Sequence, residues 1–273
     1  MSDKLKLFSP STSWEATNSV WDARATEAAK LQPLKKLKQL PEMVGITQET
    51  AKGLKWKSLK WMISQDEHWR IMRGFLKHPF KHGWAWLRSI MSKKSYRRDG
   101  DFFLYGIDSL AEFEALLLDS SNLFVLGFSY CHKPFECPSG RFSPNCKRDP
   151  ENLVCQQCFI GKALHHIPPE LCHPLLIPTI HYVGGQIFDL LEQHPHRRLI
   201  FMITACELTL EMFGDWGNMV NIKGVGVRLA GRICNTMKAF ELSEQGIKPG
   251  LTVIPAPTQK TIMDLLRLRT EQA

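Results

Sequence analysis

Hydrophobic and polar positions follow two different rhythms along the chain, and the rhythm changes near residue 100. In the later part, apolar runs of strand length recur between segments of helical period. Leu123–Phe128 (LFVLGF), Pro174–Ile180 and Arg198–Ile203 have the length and β-formers of short buried strands, and Asn221–Val227 is a weaker one. Helical patterns fall at Leu110–Leu118, Gln186–Glu192 and Cys206–Phe213, and Thr258–Arg269 is amphipathic. Strands alternating with helices predict an α/β fold with a small, mostly parallel sheet and flanking helices.

The earlier part is patterned more weakly. A short helix is expected across Glu15–Leu31, with partial order before residue 50. From Gly53 to Met91, Trp56, Leu59, Trp61, Met62 and Ile63, then Trp69, Met72, Phe75 and Leu76, approximate one helical face. Gly74, Pro79 and Gly83 interrupt it, so a separate short helix is expected from Trp84 to Met91.

Charge sharpens this division. Residues 1–100 hold 20 Lys+Arg against 9 Asp+Glu, while residues 101–273 hold 15 against 18. Seven of the eight tryptophans lie in the basic part, and none of the eight cysteines precedes Cys131. The chain therefore reads as a basic, Trp-rich helical region over 1–100 and a cysteine-rich α/β domain over 101–273. No apolar stretch reaches the roughly 20 residues that span a bilayer, and no secretory signal is evident. The expected location is the cytoplasm, peripheral to the inner face of a membrane if the basic region binds lipid.

Three readings of the basic region stay open. Its tryptophans can pack on the α/β domain with the charges in water. Alternatively, residues 53–98 form an anionic-membrane surface, with Trp at headgroup level beside Lys and Arg. Single-stranded nucleic acid also suits interleaved basic and aromatic residues, but no nucleic-acid motif accompanies them.

The densest chemical signal is the loop carrying Cys131, Cys137, Cys146, Cys155 and Cys158. Without a secretion signal, disulfides are a poor explanation. Thiolates gathered by turns suit soft metals, as a structural zinc or an iron–sulfur cluster, and Cys155-x-x-Cys158 lets two sulfurs chelate one centre. Cys206 follows a strand and opens a helix, where exposed N–H groups stabilise a thiolate. Cys234 lies in a polar turn, and Cys172 has no obvious partner. His132, His165, His166 and His173 lie near cysteines, though solvated or hydrogen-bonded roles suit each of them. Gly184-Gly185 reads as a tight strand-to-helix turn, since it satisfies no phosphate-binding pattern.

The order of these motifs resembles the cysteine-rich prokaryotic family numbered one hundred and sixteen among domains of unknown function. The likeness covers roughly residues 123–253. It rests on Cys131-x5-Cys137-Pro138, Cys155-x-x-Cys158-x-Ile160-Gly161, Val183-Gly184-Gly185, Ala205-Cys206-Glu207 and Cys234-Asn235-Thr236. Family members often carry a further cysteine after the CxxC pair. Here Gly161 stands there, and Cys146 lies in the loop instead. The resemblance implies a metal-binding protein of iron–sulfur type, with no settled activity.

Three functions follow as expectations. The first is a redox or sulfur-handling iron–sulfur protein with an unnamed redox partner. The second is a zinc-stabilised adaptor whose basic region binds membrane or nucleic acid. The third is a thiol enzyme using Cys206, with Cys234 as a further thiol. One geometric expectation accompanies all three. If the strands before Cys131 and Cys206 run parallel in one sheet, both thiols emerge at the same edge.

Overall fold

The computed structural model describes residues 13–35, 45–91, 95–248 and 250–271. Five helices come first: α1 (Trp14–Leu31), α2 (Gln48–Ala51), α3 (Leu54–Ser64), α4 (Arg70–Lys77) and α5 (Pro79–Met91). Strands β1 (Arg97–Asp99) and β2 (Phe102–Tyr105) precede α6 (Leu110–Leu118) and β3 (Leu123–Ser129). The cysteine loop contains α7 (Leu153–Gln156) and leads to α8 (Phe159–His166). Next come β4 (His173–Ile177), α9 (Ile180–Gln193), β5 (Leu199–Ala205), α10 (Glu207–Met219) and β6 (Lys223–Arg228). The chain continues through β7 (Ala230–Gly231), α11 (Met237–Glu244), β8 (Thr252–Val253) and α12 (Ala256–Thr270).

The expected α/β architecture is present. Six strands form one sheet in the order β1-β2-β6-β5-β3-β4. β4, β3, β5 and β6 are mutually parallel, and β2 joins β6 antiparallel. Helices cover both faces, so the central strands are apolar on both sides rather than alternating. Phe124, Leu126 and Phe128 of β3 enter the core beneath α6, α8 and α12. Val125 of β3 and Phe201 of β5 enter the opposite core, with α9 and α10. A fully buried phenylalanine such as Phe201 contributes about 1.5–3 kcal/mol by leaving water.

The basic region packs on this frame. Ser13 caps α1 by accepting from the Ala16 N–H, and Trp14 and Trp21 are buried against the rings of His166 and His165. Leu54, Met62, Ile71 and Phe75 belong to the core on the α9/α10 side. Much of the disorder expectation falls on residues 1–12 and 36–44, outside the described residues. Among the described residues, no helix is long and apolar enough to cross a membrane.

Three local expectations are corrected. The strand expected at Pro174–Ile180 ends at Ile177, because Pro178 interrupts it and Thr179 caps α9 by accepting from the Tyr182 N–H. Gly184 and Gly185 then lie inside α9, not in a turn before it. A Cβ on Gly184 would stand 2.9 Å from Ile71 Cδ1, so the glycine lets α4 approach α9 closely. Finally, α5 starts at Pro79 rather than Trp84, since proline's fixed φ suits the first helical turn.

Candidate functional site

The carboxyl edge of the parallel strands gathers three cysteines. β3 and β5 are neighbours in parallel register, with Phe128 opposite Thr204. The Ser129 N–H donates to Thr204 Oγ1 at 3.2 Å and ties the two strand ends together. Beyond β3, a single 3₁₀ turn, Tyr130–His132, carries Cys131. Beyond β5, Cys206 is the N-cap of α10. β6 is the next parallel strand, and the chain after it delivers Cys234. Cys206 interacts with both Cys131 and Cys234, and its single S–H can donate to either one of them. All three thiols are buried.

Lys248, between α11 and β8, supplies the charge that organises them. Its ammonium Nζ donates to Cys234 Sγ at 2.9 Å and stands 4.0 Å from Cys206 Sγ. The hydrogen bond from Cys206 and the Lys248 charge together hold Cys234 down at about 5. Protonated Cys234 can instead donate to the Ala239 carbonyl at 3.5 Å, a longer and neutral contact. Cys131 is lowered to about 7, first by its bond from Cys206 and then by Lys248. Cys206 is pushed well above the ordinary thiol value, because both neighbours are better placed to be thiolates. The helix N-terminus that was expected to ionise Cys206 is therefore outweighed by two adjacent anions. Burial alone would lower Lys248, but the charges of Cys206, Cys131 and Cys234 give a net rise.

Two further groups frame the centre. Burial raises Glu244 to about 8, and its Oε2 accepts from the Ile180 N–H at 2.9 Å. Arg141 donates to the carbonyls of Cys131, Lys133, Lys248 and Gly250, at 3.1, 3.2, 2.7 and 2.5 Å. One guanidinium thus fixes the Cys131 turn to the segment bearing Lys248. A cavity of about 40 Å³ touches Cys131, Cys206, Cys234, Thr179 and Glu244. A larger one, about 590 Å³, shares Pro178, Thr179 and Glu244 with it and is walled by Trp61, Arg70, His181 and Tyr182.

The other loop cysteines form a separate group. Cys137, Cys146 and Cys158 act electrostatically on Lys133, and Cys155 and Cys158 both feel Cys137 and Cys146. Burial raises Cys158 to about 12, and it accepts from the backbone N–H groups of Gly161 and Ile160. Lys133 is itself buried and donates to the carbonyls of Gly140, Ser143 and Asn145, at 3.3, 2.6 and 2.8 Å. Of the five expected ligands, Cys131 thus interacts with Cys206 and Cys234, while Cys137, Cys146 and Cys158 act on Lys133 and Cys155 is linked to the group through Cys137 and Cys146. Cys172 is raised to about 12 by burial, with Arg148, Arg269 and Glu170 as nearby charges. His132 is half-buried, and loss of water holds it at about 4. Among the described residues, no three His, Cys, Asp or Glu side chains are grouped as a metal ion would require.

Sequence reasoning missed Lys248, Arg141, Lys133 and Glu244. None belongs to a motif, and their value comes from burial that only the fold creates. Lys248 lies 42 positions from Cys206, with nothing in the spacing to join them. The chain matches no protein-family model, no curated protein and no solved structure, so the thiol centre stands on its own geometry.

Proposed function

We propose that the chain works through thiol chemistry at Cys131, Cys206 and Cys234, in a redox or sulfur-handling role. One observation carries this reading: an ammonium 2.9 Å from Cys234 Sγ, beside a second thiol that holds its proton. A thiolate is the nucleophile in sulfur chemistry, and a neighbouring cation keeps it ionised. Cys234 is the attacking group and Cys206 the proton-holding partner, which reverses the emphasis expected from sequence. In such a scheme Cys234 attacks one sulfur of a substrate disulfide and releases a thiolate, which takes the Cys206 proton. Cys206 then displaces the second substrate sulfur, leaving a Cys206–Cys234 disulfide that an external dithiol reduces. The small cavity touches the three sulfurs, and the larger one adjoins it at Pro178, Thr179 and Glu244. The test is the pH profile of iodoacetamide labelling, read residue by residue by mass spectrometry. Cys234 labelling should reach half its plateau near pH 5. A midpoint in the ordinary thiol range, about 8.5, would overturn the assignment.

A second reading concerns Cys137, Cys146, Cys155 and Cys158, and Lys133 favours it. Among the described residues this buried ammonium has no carboxylate partner, so anionic thiolates are its natural charge complement. The donor set suits a zinc ion or an iron–sulfur cluster, which the family resemblance also implies. The side chains as placed are not closed around one centre, so this reading rests on donor chemistry and charge. Such a group would supply structural bracing if zinc, or one-electron chemistry if iron–sulfur. Anaerobic purification should then yield metal that falls in Cys155→Ser and Cys158→Ser. Metal-free protein, or unchanged stoichiometry in both variants, would remove the reading.

A further inference from the structure

Helix α5 is built inside out. At about 100° per residue, Phe80, Trp84, Leu87 and Met91 fall within about 60° of arc. All four point to solvent, at 92%, 70%, 45% and 76% exposure. The inward side buries two polar side chains, His82 and Ser89, beside the partly buried Trp86. His82 Nδ1 donates to the Met219 carbonyl at 2.8 Å, and Ser89 Oγ donates to Asp215 Oδ1 at 2.8 Å. Ordinary surface helices show the reverse arrangement. The inward hydrogen bonds fix α5 on α10, so the apolar stripe is held outward rather than left loose. Leu76 of α4 and Trp69 at its N-terminus extend the exposed apolar surface.

Charge decides what can cover this stripe. From His68 to Arg98 the sequence has nine Lys and Arg and no Asp or Glu, although Arg70, Lys77, Arg97 and Arg98 pair with acids of other segments. Arg73, Lys81 and Arg88 are exposed, and among the described residues no ion pair holds them. A second copy of the chain would set this basic face against its own likeness, which repels. Nucleic acid would meet the cations and could stack on Trp84, but it offers nothing to Leu76, Leu87 and Met91. An anionic bilayer satisfies both features, since its headgroups meet Lys and Arg while the apolar side chains enter the acyl boundary.

We infer that the outward face of α5 docks the protein on an anionic lipid surface. The contact is peripheral and independent of the thiol centre. The test is sedimentation of the full chain with phosphatidylcholine vesicles, with and without phosphatidylglycerol. The protein should bind the anionic vesicles at least about tenfold more tightly than neutral ones, and added salt should weaken binding by screening. Phe80→Ser/Trp84→Ser should lose about tenfold or more by removing the inserted side chains. Lys81→Glu/Arg88→Glu leaves the apolar stripe intact and should also weaken anionic binding severalfold, with an unchanged circular dichroism spectrum. Cys234 labelling should be unaltered in both variants, which keeps this proposal separable from the thiol reading. Wild-type protein that ignores anionic vesicles would overturn the inference, as would variants that sediment like wild type. Tight binding to an oligonucleotide without vesicle binding would assign the face to nucleic acid instead. Self-association abolished by Phe80→Ser/Trp84→Ser, again without vesicle binding, would assign it to a second copy.

Discussion

At the scale of single residues, the thiol centre is a contest between three sulfurs for one ammonium. Cys234 takes the hydrogen bond from Cys206 and lies closest to Lys248, and the two together keep the charge on it. Lys248→Met should therefore raise the midpoint of Cys234 labelling by at least about one pH unit, measured by the same profile. Labelling at neutral pH alone is a poor readout, because a thiolate of low pKa is more abundant yet less nucleophilic. Glu244 offers an independent test. Its carboxyl is held protonated by burial up to about pH 8, whereas an unfolded glutamate ionises near 4.3. Between those values the folded state binds the extra proton, so stability falls as pH rises. Glu244→Gln lacks that penalty. Its melting temperature relative to wild type should rise steadily from about pH 4 to pH 8, and a difference independent of pH would refute the assignment.

At the scale of elements, packing between helices explains what the apolar pattern left out. Gly74 of α4 faces Phe188 of α9, and an added Cβ would stand 2.7 Å from that ring. Gly74→Leu should cost about 1–3 kcal/mol in thermal or denaturant unfolding. Gly83 of α5 has nothing within 4 Å. Gly83→Ala should be neutral or stabilising by up to about 1 kcal/mol. The pair separates a glycine placed for close approach from one that is not. Sequence reading took Gly74 and Gly83 as interruptions and Gly184 as a turn, because helical periodicity reports which face is apolar but not how near a neighbour stands. It also split α5 at Gly83, although the isolated glycine is tolerated within the helix.

At the scale of the whole molecule, what was legible is what depends on local apolarity and a general rule. The runs at Leu123 and Leu199 announced β3 and β5. Parallel strands put their following residues at one edge, and so Cys131 and Cys206 meet. Helices α6 and α12 were readable from their own periods. The division of the loop thiols into two groups was not readable, since it depends on the Tyr130–His132 turn sending Cys131 toward α10. The seven tryptophans of the basic region also divide. Trp14 and Trp21 are core residues, while Trp56, Trp69 and Trp84 face solvent. Packing thus accounts for one part of the segment, while another part leaves its tryptophans in solvent.

The Arg141 clamp has a consequence for how the two thiol groups communicate. Its guanidinium holds the first turn of the cysteine loop and the Lys248 segment at once. The loop also bears Cys137 and Cys146, so its conformation and the ammonium's position are geared to each other. Two sites joined this way influence one another reciprocally. If added zinc tightens the loop, the change should reach Cys234 through this joint as a shift in acidity. Arg141→Ala disengages the gear. The acidity of Cys234 should then stop responding to zinc added to the reduced protein, whereas in wild type its labelling midpoint should shift.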